Sequence, residues 1–263
     1  MDIIKVKGLS IGEGRPKVCV PVTGHTPKEI DSRIKEAADS GADLAEWRAD
    51  WYDGLFTDGG KDDALDTAAL DLVLASLRDG LGDMPLLVTY RTAAEGGMGE
   101  ISRTLYRDFL EKVISSGMAD LVDVELFMGK ELLSDICAAA HKAGVYVVAS
   151  SHDFLATPPE EEIIQRLCTM QECGADLLKI AVMPASTRDV LTLLSATARM
   201  RDEYADKPLI TMSMGSIGVV SRLTGEVFGS AVTFGSAGTA SAPGQPKVEE
   251  LRTVLGIIDG LSG

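Results

Sequence analysis

No apolar run in the 263 residues approaches the length of a membrane-spanning helix, so no span is expected. The opening "MDIIKVKGLS" lacks the apolar stretch of a signal peptide, which points to a cytoplasmic protein. Cysteine is scarce and scattered: Cys19, Cys137, Cys168 and Cys173 form no C-x-x-C. The five-residue step from Cys168 to Cys173 matches neither zinc spacing nor a needed staple, so all four are expected as reduced, mostly buried thiols. Positive charge is in deficit, with 25 Lys and Arg against 40 Asp and Glu and a formal net charge of −15. That balance argues against nucleic acid or an anionic membrane as a partner. No G-x-G-x-x-G follows the first strand-like run, which leaves a dinucleotide site without support. No metal or flavin motif stands out, and neither a metal nor an organic cofactor is expected.

What is present is a repeat of short β-rich runs, loops and helix-like segments. The runs are "KVCVPV" (17–22), "LAEWRA" (44–49), "LLVTYR" (86–91), "LVDVEL" (121–126), "VYVVAS" (145–150), "LLKIAV" (177–182), "LITMSM" (209–214) and "AVTFG" (231–235). Helices are expected near 27–40, 62–80, 100–116, 129–143, 159–173, 186–201, 218–226 and 246–261. Thr26-Pro27 supplies a start signal, and Gly41, Gly117, Gly144 and Gly174 supply stops. "GADLAEWRAD", "GMADLVDVEL" and "GADLLKIAVM" echo one another, each placing a glycine and Ala-Asp-Leu before a strand. Eight strands alternating with helices predict an α/β fold: one (β/α)₈ TIM barrel over residues 1–263, preceded by a short hairpin in "IIKVKGLSIGEGRPKV". A doubly wound open sheet is the fallback.

Side chains alternate along a strand, so phase separates the residues under the helices from those facing the barrel interior. In "LLKIAV", Leu178, Ile180 and Val182 form the helix-facing set, and Lys179 points inward. The same test turns inward Glu46 and Arg48, Thr89 and Arg91, Asp123 and Glu125, and Ile210, Met212 and Met214. His152 follows just past the end of its strand. The cations Arg48, Arg91 and Lys179 roughly balance the anions Glu46, Asp123 and Glu125. These charges could simply be an ion-pair network, but they lie toward the carboxyl ends of strands, where barrel active sites sit. So many arginines make the interior a poor divalent-cation site.

Desolvation and like charge should lower the Lys179 pKa, and a neutral amine attacks carbonyls to give a Schiff base. His152, one strand away, is the best general acid and base; Glu95, in "RTAAEGGMGE", could orient its ring. His141 reads as a helix-terminal cation and His25 as a cap or pairing residue. Arg222 suits capture of a carboxylate. The Gly/Ser-rich "GSAGTASAPGQP" (235–246) reads as a phosphate loop or a lid in which Gln245 could carry a polar contact. From the residues alone, a class I aldolase and a non-catalytic carboxylate binder stay open.

"EWRAD", "TYRTAAEGG", "SSHDF", "LLKIAVMP", "SRLTGEVFGSAVTFG" and "SAPGQ", in this order, closely resemble the type I 3-dehydroquinate dehydratases of the shikimate pathway. The resemblance implies a syn elimination of water from 3-dehydroquinate. It makes Lys179 the imine-forming lysine, His152 the base and acid, and Glu95 the carboxylate that tunes it. It implies that Arg222 binds the substrate carboxylate, that Glu46, Arg48 and Arg91 hold ring hydroxyls, and that Met212 and Met214 form an apolar wall. It further implies a closing loop with Ser241 and Gln245, no metal or organic cofactor, and a homodimer.

Overall fold

The computed structural model describes residues 1–57, 64–238 and 244–261. The chain begins with a hairpin, β1 (Ile4–Val6) paired antiparallel with β2 (Leu9–Ile11). Its two-residue turn needs two positive φ angles, and Lys7 (46°) and Gly8 (81°) supply them. Eight parallel strands follow: β3 (Lys17–Val22), β4 (Leu44–Arg48), β5 (Leu86–Thr89), β6 (Leu121–Glu125), β7 (Tyr146–Asp153), β8 (Leu177–Val182), β9 (Leu209–Ser213) and β10 (Val232–Phe234). They lie in the order β10-β3-β4-β5-β6-β7-β8-β9. The circle closes where Ala231 N donates to Leu209 O at 2.7 Å. This is the α/β TIM-barrel architecture, with a separate hairpin, that the strand–helix alternation predicts.

Nine helices are described: α1 (Pro27–Asp39), α2 (Thr67–Leu81), α3 (Arg103–Ser116), α4 (Lys130–Ala143), α5 (Glu160–Glu172), α6 (Thr187–Glu203), α7 (Val219–Leu223), α8 (Gly225–Phe228) and α9 (Val248–Leu261). Local chemistry sets their starts. Thr26, Asp66 and Ser102 accept backbone N–H groups at the heads of α1, α2 and α3, and Ser186 with Asp189 forms a capping box on α6. Several boundaries shift by a few residues, with α2 starting at Thr67 and α3 at Arg103, and two differences bear on the site. The segment near 218–226 is two short helices meeting at Thr224. Strand β7 runs on to Asp153, so His152 lies within the sheet, paired with Ala181, rather than past its end.

The two strand faces build two cores. Val20, Trp47, Val88, Val124, Ala149 and Ile180 pack outward under the helices. Leu44, Leu87, Leu121, Val148, Leu177 and Ile210 pack inward with Ile4, Val6 and Ile11 of the hairpin, which plugs the amino-terminal end of the barrel. Strand β9 is mixed on its outer face for a physical reason. Thr211 exchanges a hydroxyl hydrogen bond with Thr197 of α6, and Ser213 N donates to Ser221 of α7. With its floor apolar and plugged, the barrel leaves its polar inward residues in the upper half.

Candidate active site

Lys179 sits mid-strand in β8, and the apolar Leu178 and Ile180 hold its backbone under the helices while its side chain crosses the interior. Only 4% of the residue is exposed. Its ammonium donates to Glu46 Oε1 at 3.2 Å and Asp123 Oδ2 at 3.4 Å, and lies 4.6 Å from the centre of the Phe234 ring. The nearest charges are therefore carboxylates, not the arginines expected from strand phase. The lysine is held as one partner of buried ion pairs.

Arg91 is the hub beside it. Its guanidinium contacts Asp123 and Glu125 at 2.8 Å each, the Ser150 hydroxyl at 2.9 Å and Glu95 at 3.4 Å. Glu125 is further fixed by Thr92 N and Thr92 Oγ1, and Asp123 by Ser150 Oγ at 2.6 Å. Burial alone would raise the Asp123 carboxyl, but Arg91, Lys179 and the Ser150 hydroxyl outweigh it and hold the group below the ordinary carboxylate range. Burial likewise opposes the Arg91 charge, and Asp123, Glu125 and Glu95 overcome it. An ion-pair network thus does fill the barrel beneath the cavity. Its membership differs from the expected balance: Glu95 joins it, and Arg48 leaves it to pair with Asp50 at 2.8 Å.

On β7, His152 directs Nδ1 to Glu95 Oε2 at 2.8 Å, and the same oxygen accepts the His152 backbone N–H at 3.0 Å. Glu95 stands in a short turn (Ala93–Glu95) whose shape is forced by close packing; a Cβ on Gly97 would lie 1.8 Å from Arg91 O. Burial pushes the imidazole well below its usual range, helped by Arg91, Lys179 and Arg48. Burial also pushes Glu95 up to about 8, with Arg91 opposing and Glu125 and Asp123 assisting. The two groups share one titratable proton. While it is bound, Glu95 donates to Nδ1 and the Nε2 nitrogen carries a proton. Once it is lost, Nδ1–H donates to the carboxylate and Nε2 is a bare base.

A cavity of about 210 Å³ brings these groups together. It is lined by Lys179, His152, Glu95, Glu46, Arg48 and Arg91, by Met212, Met214 and Phe234, and by Arg222 and Gln245. Ten of the eleven site residues named from the sequence therefore share one cavity, and Ser241 lies outside the described residues. Arg222, at the end of α7, is 2% exposed yet pairs with no carboxylate among the described residues. Its Nη1 meets only Met212 Sδ at 3.3 Å, Nε has no partner, and burial lowers its pKa to about 10. An unpaired buried guanidinium is costly, and an incoming carboxylate relieves that cost.

His25 and His141 stand apart from this cavity. His25 pairs with Asp53 at 3.1 Å, and His141 with Asp176 at 2.9 Å, as their loop and helix-end positions suggested. All four cysteines are free thiols. Among the described residues, no group of three His, Cys, Asp or Glu side chains is placed to hold a metal ion. Strand phase alone missed two residues that it could have found. Asp50 continues the alternation of Glu46 and Arg48 past the strand end, and Phe234 shares the inward phase of Val232.

The model of the type I 3-dehydroquinase family matches residues 18–262. The chain belongs to the type I 3-dehydroquinases. Like that family it is a hydro-lyase, a dehydratase. A 3-dehydroquinate dehydratase of Clostridioides difficile (strain 630) is 48% identical over 255 residues, covering 97% of this chain and 96% of that one. The Salmonella typhimurium 3-dehydroquinate dehydratase is 45% identical over 258 residues, covering 98% and 99%. The crystal structure of the type I enzyme from Clostridium difficile with covalent modified comenic acid superposes with a TM-score of 0.93 at 47% identity, covering 99% of both chains. The 3-dehydroquinase match begins after the hairpin and takes in every site residue described above.

Proposed function

We propose that this chain, as one catalytic barrel domain over residues 1–263, converts 3-dehydroquinate to 3-dehydroshikimate through a Schiff base on Lys179. The Lys179 amine adds to the C3 ketone, and loss of water gives an iminium. His152 Nε2 removes a proton from C2, leaving an enamine. The enamine electrons then form the C1–C2 double bond as the C1 hydroxyl departs on the same face, protonated by His152. Hydrolysis returns the amine and releases the enone, so the net change is loss of one water. Glu46 and Asp123, already paired with the ammonium, lie beside the positive charge that the iminium keeps. Arg222 takes the substrate carboxylate; Glu46, Arg48 and Arg91 take ring hydroxyls; Met212 and Met214 form the apolar wall. Gln245, which lines the cavity, adds a polar contact to the substrate. The reaction needs no metal or organic cofactor.

One observation carries this reading. Lys179 on β8, the Glu95-held His152 on β7 and an unpaired buried Arg222 open into the same cavity. The covalent ligand in the relative from Clostridium difficile adds support for a nucleophile in such a site. The same reading makes the protein a cytoplasmic homodimer acting at the third step of the shikimate pathway, toward aromatic amino acids. It accords with the net charge of −15 and with the absence of any described helix long and apolar enough to cross a membrane. The test is direct: purified protein given 3-dehydroquinate without added metal should raise the ultraviolet absorbance of the conjugated enone. Borohydride should trap a ligand mass on the peptide carrying Lys179. A folded protein that gives no absorbance rise refutes the proposal.

A further inference from the structure

The turn that carries Glu95 is fastened at its neck, where Ala93 N donates to Gly99 O at 2.9 Å and Thr92 bridges Gly99. One buried carboxylate clasps both arms of that neck from outside. Asp50 Oδ1 accepts Arg91 N at 3.2 Å, and Asp50 Oδ2 accepts Met98 N at 3.1 Å. The same two oxygens accept Arg48 Nε and Nη2, each at 2.8 Å. Both oxygens are thus filled by two donors apiece, and the Asp50 side chain has no exposure at all. Nothing about a barrel strand end requires this. A carboxylate could have paired Arg48 alone, or pinned the turn alone.

We propose that Asp50 is a positioning residue that locks Arg48 toward the substrate and, with the same carboxylate, holds the Glu95 turn against His152. The inference rests on the proposed dehydration and adds a residue that never touches the substrate. Its logic is geometric. Arg48 lines the cavity with its Nε and Nη2 edge held by Asp50, which fixes the plane of the guanidinium there. Glu95 reaches both His152 N and Nδ1 only because the turn is held in place. The charged groups facing Glu95 are Arg91, Glu125, Asp123 and His152, so a displaced turn alters every one of those interactions.

The test compares Asp50→Asn with wild type by enone absorbance across pH, with folding checked by circular dichroism. Asparagine keeps the volume but places an amide N–H₂ where one pair of donors needs an acceptor. The expected result is a KM higher by about tenfold or more, the equivalent of one lost charge-assisted hydrogen bond, together with a displaced pH limb of kcat. A residue that served stability alone would lower the melting temperature and leave both unmoved. Arg48→Ala separates the two arms: adding Asp50→Asn to it should leave KM where it is and still displace the pH limb. A folded Asp50→Asn variant with wild-type KM and pH profile overturns the inference, as does a double variant whose profile equals that of Arg48→Ala. If Asp50→Asn does not fold, Asp50→Ser is read the same way. Failure of both to fold makes Asp50 a folding determinant and overturns the positioning role. An inactive wild type would instead refute the dehydration reading, so the two failures are told apart.

Discussion

Replacing Glu95 with glutamine removes the ionisable group and almost no volume, which isolates what the carboxyl does for His152. Oε2 lies 2.8 Å from Nδ1 and accepts the His152 backbone N–H at 3.0 Å, and a glutamine carbonyl can accept from both the backbone and an Nδ1–H. What is lost is charge assistance to the ring as it becomes imidazolium. Hydrogen bonds to charged groups contribute roughly 1.5–3 kcal/mol and neutral ones roughly 0.5–1.5. The difference of about 1–1.5 kcal/mol in the transition state corresponds to about a 5- to 13-fold loss of kcat. The pH dependence follows from the same pair. Burial pushes Glu95 up to about 8 from the ordinary 4.5, so wild-type kcat/KM should climb as pH rises through about 8 and Nε2 is freed. Glu95→Gln should abolish that limb. Stability should respond in the opposite direction. Between the usual histidine value of 6.5 and about 8, the folded protein keeps the shared proton while the unfolded chain has lost it. Stability is therefore lost as pH rises through that window. Below 6.5 the trend is offset, because the unfolded His152 binds a proton that the buried ring refuses. Melting curves at pH 6.5 and 8 should thus diverge for wild type and converge for Glu95→Gln. An unchanged alkaline limb in a folded Glu95→Gln enzyme would falsify the shared-proton account.

Lys179→Ala should abolish both turnover and the borohydride-dependent mass gain; normal turnover would sink the imine mechanism. The variant should still fold, although it leaves Glu46 and Asp123 short of a partner, so a lower melting temperature is expected by calorimetry. Arg222→Met should weaken substrate binding by about a hundredfold or more, from the loss of charge-assisted contacts of roughly 1.5–3 kcal/mol each. It should also raise the melting temperature of the unliganded protein, because a buried guanidinium with an orphaned Nε is replaced by an apolar chain. A fall in melting temperature would show that Arg222 is satisfied in a way its geometry does not reveal.

The barrel and most of the cavity were legible because two periods suffice for them. Helix stops at Gly117 and Gly144 and starts at Thr26 mark the repeat, and an alternation of two sorts each strand residue to helices or interior. Phase cannot show which inward charge pairs with which, since that depends on the lateral register of strands far apart in sequence. Arg48 and Lys179 have the same inward phase, yet one is neutralised two residues away by Asp50 and the other across the barrel by Glu46 and Asp123. The actual pairing explains the electrostatics better than a simple balance does. Arg91 and Lys179 face four carboxylates, those of Glu46, Asp123, Glu125 and Glu95, while Arg48 and Asp50 cancel each other. Two cations cannot neutralise four anions in a buried space, and this adds to the burial that raises the Glu95 carboxyl. Glu95 also has the longest of the Arg91 contacts, 3.4 Å against 2.8 Å for Asp123 and Glu125, and its other partner is the imidazole. Burial first, and then the neighbouring Glu125 and Asp123, raise the Glu95 carboxyl beside His152 against the pull of Arg91. Among the described residues that line the cavity, Arg222 is the cation left without a carboxylate partner.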